Sequence, residues 1–223
     1  MYKSLAYKEW LKVRWFFVGA LALELLVLFS LFINLRAILE FNAARDIWSS
    51  IVFKNYIYFN QVKFIPLIIG FMIGVSQFYT ELQDYKLKLT LHLPLKENNS
   101  LLFMVGFGFT LLFVLFVGLT IVLIIGSKVV FPAEVINAML LTLVPWMLAG
   151  FTVYFVVANL FIEPLWVTRR MLLVILGAEF ISLLLLSKGY GAYKNILIQL
   201  TIITITFGYI ILLSGFRFQR GAK

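Results

Sequence analysis

The feature that most constrains this sequence is a series of long apolar runs that together occupy more than half of the chain. A helix needs about 20 mainly apolar residues to cross the hydrocarbon core of a bilayer, and each run is long enough or nearly so. The pattern predicts an all-α integral membrane protein with one transmembrane domain, residues 1–223, and six transmembrane helices. The predicted spans are 16–35, 64–82, 101–126, 138–162, 171–187 and 196–215.

The composition excludes a soluble domain. The chain is 63% hydrophobic and 13% charged, with a mean hydropathy of +1.02, whereas soluble domains carry roughly 45–50% apolar and about 25% charged residues. The net charge of +9 comes from short clusters of Lys and Arg at the ends of the apolar runs, where anionic lipid headgroups attract them. We therefore expect the lipid bilayer, and no nucleic acid, as a partner.

The N-terminal segment 1–14 places Lys3, Lys8, Lys12 and Arg14 among apolar residues. This is typical of an amphipathic helix that lies at a membrane interface. The apolar run that follows it exceeds the roughly 7–15 residues of a signal-peptide core, so we expect an uncleaved first span. With the N-terminus in the cytoplasm, twelve of the 19 Lys and Arg residues fall on the cytoplasmic side and seven on the other. The positive-inside rule favours this orientation, with both termini cytoplasmic.

Catalytic motifs are missing from the sequence. The chain has no Cys, its one histidine is His92, and it contains no HExxH, GxSxG or Walker A motif. Intramembrane hydrolysis and ATP hydrolysis require such groups. We expect that this chain is not an enzyme and holds no metal.

Two carboxylates, Glu24 and Glu179, fall inside predicted spans, in the first and the fifth. A charge at bilayer depth costs a few kcal/mol, so each should face protein, water or a partner. Each is either a proton, cation or substrate site, or a protonated side chain that is hydrogen-bonded between helices.

Small residues and prolines also predict features of the spans. Gly70 and Gly74 in the second span form a pair that permits close helix packing, and the third span contains Gly106, Gly108 and Gly118. The two prolines inside predicted spans, Pro66 and Pro145, predict a kink or a break.

The connector after the second span has an ambiguous pattern. Leu82, Tyr85, Leu89 and Leu93 share one face if the segment is helical, but the leucines from 87 to 95 also alternate strictly, which is a strand pattern. We favour an amphipathic helix, because an isolated strand beside a bilayer would leave its edge without hydrogen-bond partners.

A basic amphipathic N-terminal segment, six spans without an extramembrane domain, and a second span ending in Glu81 before a connector that closes on Leu93-Pro94-Leu95-Lys96 resemble permease subunits of type-2 ABC exporters. The architecture matches over the whole chain, whereas the sequence motif covers about twenty residues. The resemblance implies a multi-pass protein of the bacterial cytoplasmic (inner) membrane. It also implies a short cytoplasmic coupling helix between the second and third spans, at about residues 83–99, that docks on a separate cytoplasmic P-loop ATPase. The implied coupling residues are Glu81, Asp84, Tyr85, Leu89, Leu93, Pro94 and Lys96.

The same resemblance implies how the transporter assembles. Two permeases, identical or paired with a sister subunit, would form the translocation pathway, with Glu24 and Glu179 facing it. ATP and Mg would be bound by the partner ATPase, and this chain would bind no cofactor. The apolar, aromatic spans suit export of a hydrophobic or amphipathic substrate, and they equally suit plain lipid contact.

Three other classes remain open at this point. The chain could be a substrate-binding membrane subunit of an importer, which would bind its ligand alone. It could be an ion-coupled secondary carrier that uses Glu24 and Glu179, or a scaffold subunit of a larger membrane complex.

Overall fold

The computed structural model describes residues 2–41, 56–82, 97–162, 167–186 and 189–219, and in these ranges the chain is helical with no strand. Each predicted apolar run lies largely on one α-helix of the described ranges. These ranges contain the α-helices α1 (Tyr2–Phe41), α2 (Ile65–Leu82), α3 (Glu97–Lys128), α4 (Ala133–Ile162), α5 (Val167–Leu185) and α6 (Leu197–Gln219), with short 3-10 helices at Asn60–Phe64 and Lys194–Ile196.

Successive helices run in opposite directions. The start of α1 lies beside the end of α2, where Lys8 pairs with Glu81, and Gln77 near the end of α2 contacts the start of α3 at Met104. We call this end of the bundle the proximal end and the opposite one the distal end. The helices α2, α4 and α6 therefore run parallel to one another, towards the proximal end.

The centre of the bundle is α4, which packs against α2, α3, α5 and α6. In its most apolar stretch 72% of the residues are buried, against 22% in α1 and in α6. Pro145 lies inside α4, yet the helix continues to Ile162. Pro66 lies in the first turn of α2, where its missing N–H has no helical partner in any case. Neither proline breaks its helix, so that part of the expectation is wrong.

A close backbone approach holds α2 against α4. A side chain at Gly70 would overlap the carbonyl oxygen of Gly150, and a Cβ at Gly150 would lie 2.5 Å from the carbonyl oxygen of Pro66. One turn along, a Cβ at Gly74 would press on Val157 at 3.0 Å. The close packing predicted from Gly70 and Gly74 is confirmed, and α4 is the helix that uses it.

The first helix differs from the prediction. Residues 2–41 form one continuous helix of 40 residues, about 60 Å long at 1.5 Å per residue and about twice the thickness of a hydrocarbon core. The interfacial helix predicted for residues 1–14 is therefore not a separate element. Its side chains Glu9 and Lys12 pair with groups of α2, which holds the segment in line with the rest of α1.

Five helices are long and apolar enough to cross a membrane, among the residues that the structure describes. They are α1, α2 with the 3-10 turn before it, α3, α4 and α6. The chain thus has the character of a multi-pass membrane protein. The remaining helix, α5, has 19 residues and carries Arg169, Arg170 and Glu179, so the sixth crossing stays a prediction.

Candidate functional site

The most polar part of the bundle interior is a cluster of four charged side chains at the proximal end. Lys8, Glu9 and Lys12 come from α1 and Glu81 comes from α2. Lys8 Nζ lies 2.9 Å from Glu81 Oε1, and the Lys12 ammonium donates to both Glu9 and Glu81. Glu9 and Glu81 are buried. We call these four residues the proximal ion cluster.

The local sequence explains the geometry of this cluster. Lys8 and Lys12 lie one turn apart on α1, and Glu81 lies in the last turn of the antiparallel α2. Two ammonium groups face two carboxylates, so the cluster is neutral as a whole. Buried charges are tolerated only when they are paired and hydrogen-bonded, and each carboxylate here meets a lysine.

Gln77 extends the network to two more helices. Its Nε2 donates to Glu9 Oε2 at 3.0 Å and to the carbonyl oxygen of Met104 in α3 at 2.7 Å. Its Oε1 accepts from the Tyr154 hydroxyl of α4 at 2.9 Å, and Tyr154 also lies 3.1 Å from the carbonyl oxygen of Val105. One hydrogen-bond network therefore joins α1, α2, α3 and α4.

The hydrogen bond between Gln77 and Tyr154 depends on a glycine in α3. A Cβ at Gly108 in α3 would overlap both the Tyr154 hydroxyl oxygen and Gln77 Oε1. A side chain of any size at position 108 would force these two groups apart. The glycine therefore permits the hydrogen bond that links α2 to α4.

Of the seven predicted coupling residues, the structure describes one. Glu81 is buried and paired within the chain. The other six, Asp84, Tyr85, Leu89, Leu93, Pro94 and Lys96, lie outside the described residues. At the C-terminal edge of the predicted coupling segment, residues 97–99 already belong to the first turn of α3.

The two intramembrane glutamates lie in different surroundings. Glu24 is 5% exposed and lines a cavity of about 270 Å³ between α1 and α3. Glu179 is exposed on α5, and the main packing partner of α5 is α4. Within one chain, the structure does not bring these two carboxylates into one site.

A larger groove of about 480 Å³ lies between α3, α4 and α6, and its walls are apolar and aromatic. Two threonines line it, but Thr201 and Thr204 donate their hydroxyls to carbonyl oxygens of their own helix. The groove therefore offers apolar contact, as a lipid chain or a hydrophobic substrate would need.

An aromatic cluster closes the distal end. Tyr58 stacks on Phe131 with ring centroids 4.7 Å apart, its Oη lies 2.8 Å from Ser127 Oγ, and it also donates to the Met139 sulfur. Burial raises the pKa of Tyr58 and that of Tyr190, whose hydroxyl donates to the carbonyl oxygen of Tyr56. Both phenols stay protonated at neutral pH and act as structural hydrogen-bond donors.

Sequence reasoning missed the proximal ion cluster, although a signal for it was present. Gly70, Gly74, Gln77 and Glu81 are spaced so that they share one face of α2. Two close-packing glycines on that face indicate that the glutamine and the glutamate lie in the bundle interior. The charge pattern of the N-terminal segment instead places Lys8 and Lys12 at lipid headgroups.

No protein-family model, curated protein or solved structure matches this chain. Among the described residues, no group of three or more Asp, Glu or His side chains lies close enough together to hold a metal ion. The functional proposal therefore rests on the residues of the chain itself.

Proposed function

We propose that this chain is the membrane-spanning permease subunit of an ATP-driven transporter, coupled to a separate cytoplasmic ATPase, as its resemblance to type-2 ABC exporters implies. The observation that carries the proposal is the position of Glu81. It lies in the last turn of α2, immediately before the proposed coupling segment, and it is tied to α1 through Lys8 and Lys12.

This arrangement suits the transmission of force. Removing one partner of a buried ion pair costs about 3–5 kcal/mol, because the remaining charge stays buried. Since the pairing between α1 and α2 is costly to break, we expect a push on the connector to move α2 together with α1. Gln77 and Tyr154 pass the same displacement to α3 and α4. Closure of an ATPase dimer under two permeases would then move four helices of each permease as one body.

The remaining parts of the proposal follow the resemblance. The pathway forms between two permeases, identical or sister subunits, in a bacterial cytoplasmic membrane. Both termini lie in the cytoplasm, and α5 crosses the membrane as well, which makes six spans in all. ATP and Mg are bound by the ATPase, and this chain performs no catalysis. The apolar groove beside α3, α4 and α6 supports export of a hydrophobic or amphipathic substrate.

A second candidate is the ion-coupled carrier, which the buried position of Glu24 favours. A carrier of this kind would transport along a proton or sodium gradient in vesicles that hold this chain alone. The exposed position of Glu179 weakens the version in which both glutamates form one site.

The test is to isolate the chain with its partners. We would tag the C-terminus, extract the protein from its own host in mild detergent and identify co-purifying soluble proteins by mass spectrometry. We expect a stoichiometric P-loop ATPase that is lost when Leu89 and Leu93 are both changed to Asp. As a matched control, Leu186→Asp places the same charge on an exposed leucine at the distal end, and it should retain the ATPase.

An ATPase that stays bound to the double variant, or that is lost equally in Leu186→Asp, would contradict the docking site at Leu89 and Leu93. A folded chain that brings no ATPase in any of several detergents would contradict the permease assignment. Gradient-driven uptake without ATP would then establish the carrier.

A further inference from the structure

Among the described residues, Glu24 is the one polar side chain that lines the cavity between α1 and α3. The other lining residues are leucine, valine and glycine residues of the two helices and Phe17. Glu24 Oε1 is buried and has no hydrogen-bond partner among the described residues. An unpaired carboxyl oxygen in an apolar cavity is costly, and a ligand with a hydrogen-bond donor would remove that cost.

The depth of Glu24 places the cavity inside the membrane. Glu24 lies twelve residues along α1 from Lys12, which corresponds to about 18 Å of helix. If the proximal ion cluster marks one edge of a hydrocarbon core about 30 Å thick, Glu24 lies near its middle. Leu25 and Val114, two of the lining residues, are each more than half exposed, so the cavity can be entered sideways from the lipid.

The composition of the cavity decides which ligand suits it. A bare metal ion needs several oxygen ligands, six to eight for Ca²⁺, and among the side chains that line this cavity only Glu24 supplies oxygen. A primary ammonium group needs fewer partners and can form a charge-assisted hydrogen bond with one carboxylate. An alkyl chain attached to it would pack against the leucine and valine side chains.

We propose that this cavity binds an amphiphile with a primary amine head, with the ammonium on the Glu24 carboxylate and the alkyl chain between α1 and α3. This binding is a property of the chain alone and does not depend on an ATPase. If the chain is the permease proposed above, this site indicates that its substrates are lipophilic amines.

The test uses the full-length chain in lipid nanodiscs and a decylamine that carries a diazirine photolabel. We expect labelling of peptides that contain residues 17–28 and 114–122. Unlabelled decylamine should compete for the site, and decanol of the same chain length should need at least tenfold higher concentration. Glu24→Gln should weaken labelling about tenfold, the loss expected for one charge-assisted hydrogen bond.

Two further variants act as controls. Glu179→Gln removes the other intramembrane carboxylate and should label like the wild type. Gly118→Leu adds a side chain to the wall of the cavity and keeps the Glu24 carboxyl group, and a Cβ at Gly118 meets no atom within 4 Å. We expect it to lose the labelling while its thermal unfolding stays like that of the wild type.

The proposal is overturned by any one of three results: decanol competes as well as decylamine, Gly118→Leu keeps full labelling, or Glu24→Gln and Glu179→Gln lose it equally. Because no ATPase is present in this assay, a failure here leaves the ATPase co-purification result unaffected.

Discussion

The ion pairs of this chain contribute different amounts to its stability, according to how deeply they are buried. The glutamate side chain of the Lys12–Glu81 pair is 2% exposed. The side chains of the Arg36–Glu40 pair at the far end of α1 are 83% and 60% exposed. Exposed pairs contribute about 0–1 kcal/mol, whereas breaking a buried pair costs about 3–5 kcal/mol because the remaining charge stays buried.

This contrast gives a prediction with its own control. Glu81→Gln leaves Lys8 and Lys12 with Glu9 as the remaining carboxylate of the cluster, and we expect it to lower the free energy of unfolding by about 3 kcal/mol. Glu40→Gln makes the same chemical change in the exposed pair and should have an effect below about 1 kcal/mol. Equilibrium unfolding of the purified protein in mixed micelles measures both. Equal effects of the two substitutions would show that the cluster is not a structural centre.

For single residues, the sequence predicted which ones are unusual, but not where each one lies in the bundle. Glu24 and Glu179 stand out because each interrupts an apolar run. Whether such a residue is buried depends on which helix packs beside it, and that contact is not local. The sequence places Lys12 at lipid headgroups for the same reason, since its partner Glu81 lies 69 positions away.

Among the helices, the α2–α4 contact depends on the absence of side chains. We expect Gly150→Ala to destabilise the protein by about 1–3 kcal/mol, the usual range for overpacking, because the new Cβ would lie 2.5 Å from the carbonyl oxygen of Pro66. Gly106→Ala in α3 meets no atom within 4 Å. It should be neutral or stabilise by up to about 1 kcal/mol, since alanine is the better helix former.

Thermal unfolding of the two variants in one detergent decides this prediction. If Gly106→Ala proved as harmful as Gly150→Ala, the loss would come from substituting glycine in general and not from the α2–α4 contact. If both were neutral, the two helices would not approach as closely as described.

The helices themselves were predictable from the apolar runs, because length and hydropathy are local properties. The extent of α1 was not, since the charges of residues 1–14 suit a helix lying on a membrane equally well. Pairing with α2 decides between the two arrangements. Likewise, α4 is the most buried helix because four others surround it, and the apolar run 138–162 does not differ visibly from the run 101–126.

For the whole molecule, the alternating helices predict which positions lie on each side of a membrane. The chain contains no natural cysteine, so single cysteines can be introduced without background. With the proximal end in the cytoplasm and six crossings, Val129→Cys and Ala192→Cys should react with a membrane-impermeant maleimide added to intact cells. Tyr7→Cys and Ala222→Cys should react only after lysis.

The pattern of labelling distinguishes a wrong orientation from a wrong number of crossings. The reverse pattern at all four positions would invert the orientation. Labelling of Ala222→Cys in intact cells, with Tyr7→Cys and Ala192→Cys both protected, would mean an odd number of crossings and would remove α5 from the membrane-spanning helices.

The pairing of Lys8 and Lys12 with Glu81 also bears on the order in which the chain is made. Synthesis proceeds from the N-terminus, so the carboxylate that completes the ion cluster becomes available as soon as α2 is finished. Helices α1 and α2 can then pair through the ion cluster, before α3 offers the Met104 carbonyl oxygen or α4 offers Tyr154. A chain that is released after α2 contains all four residues of the cluster, whereas one that is released before α2 lacks Glu81.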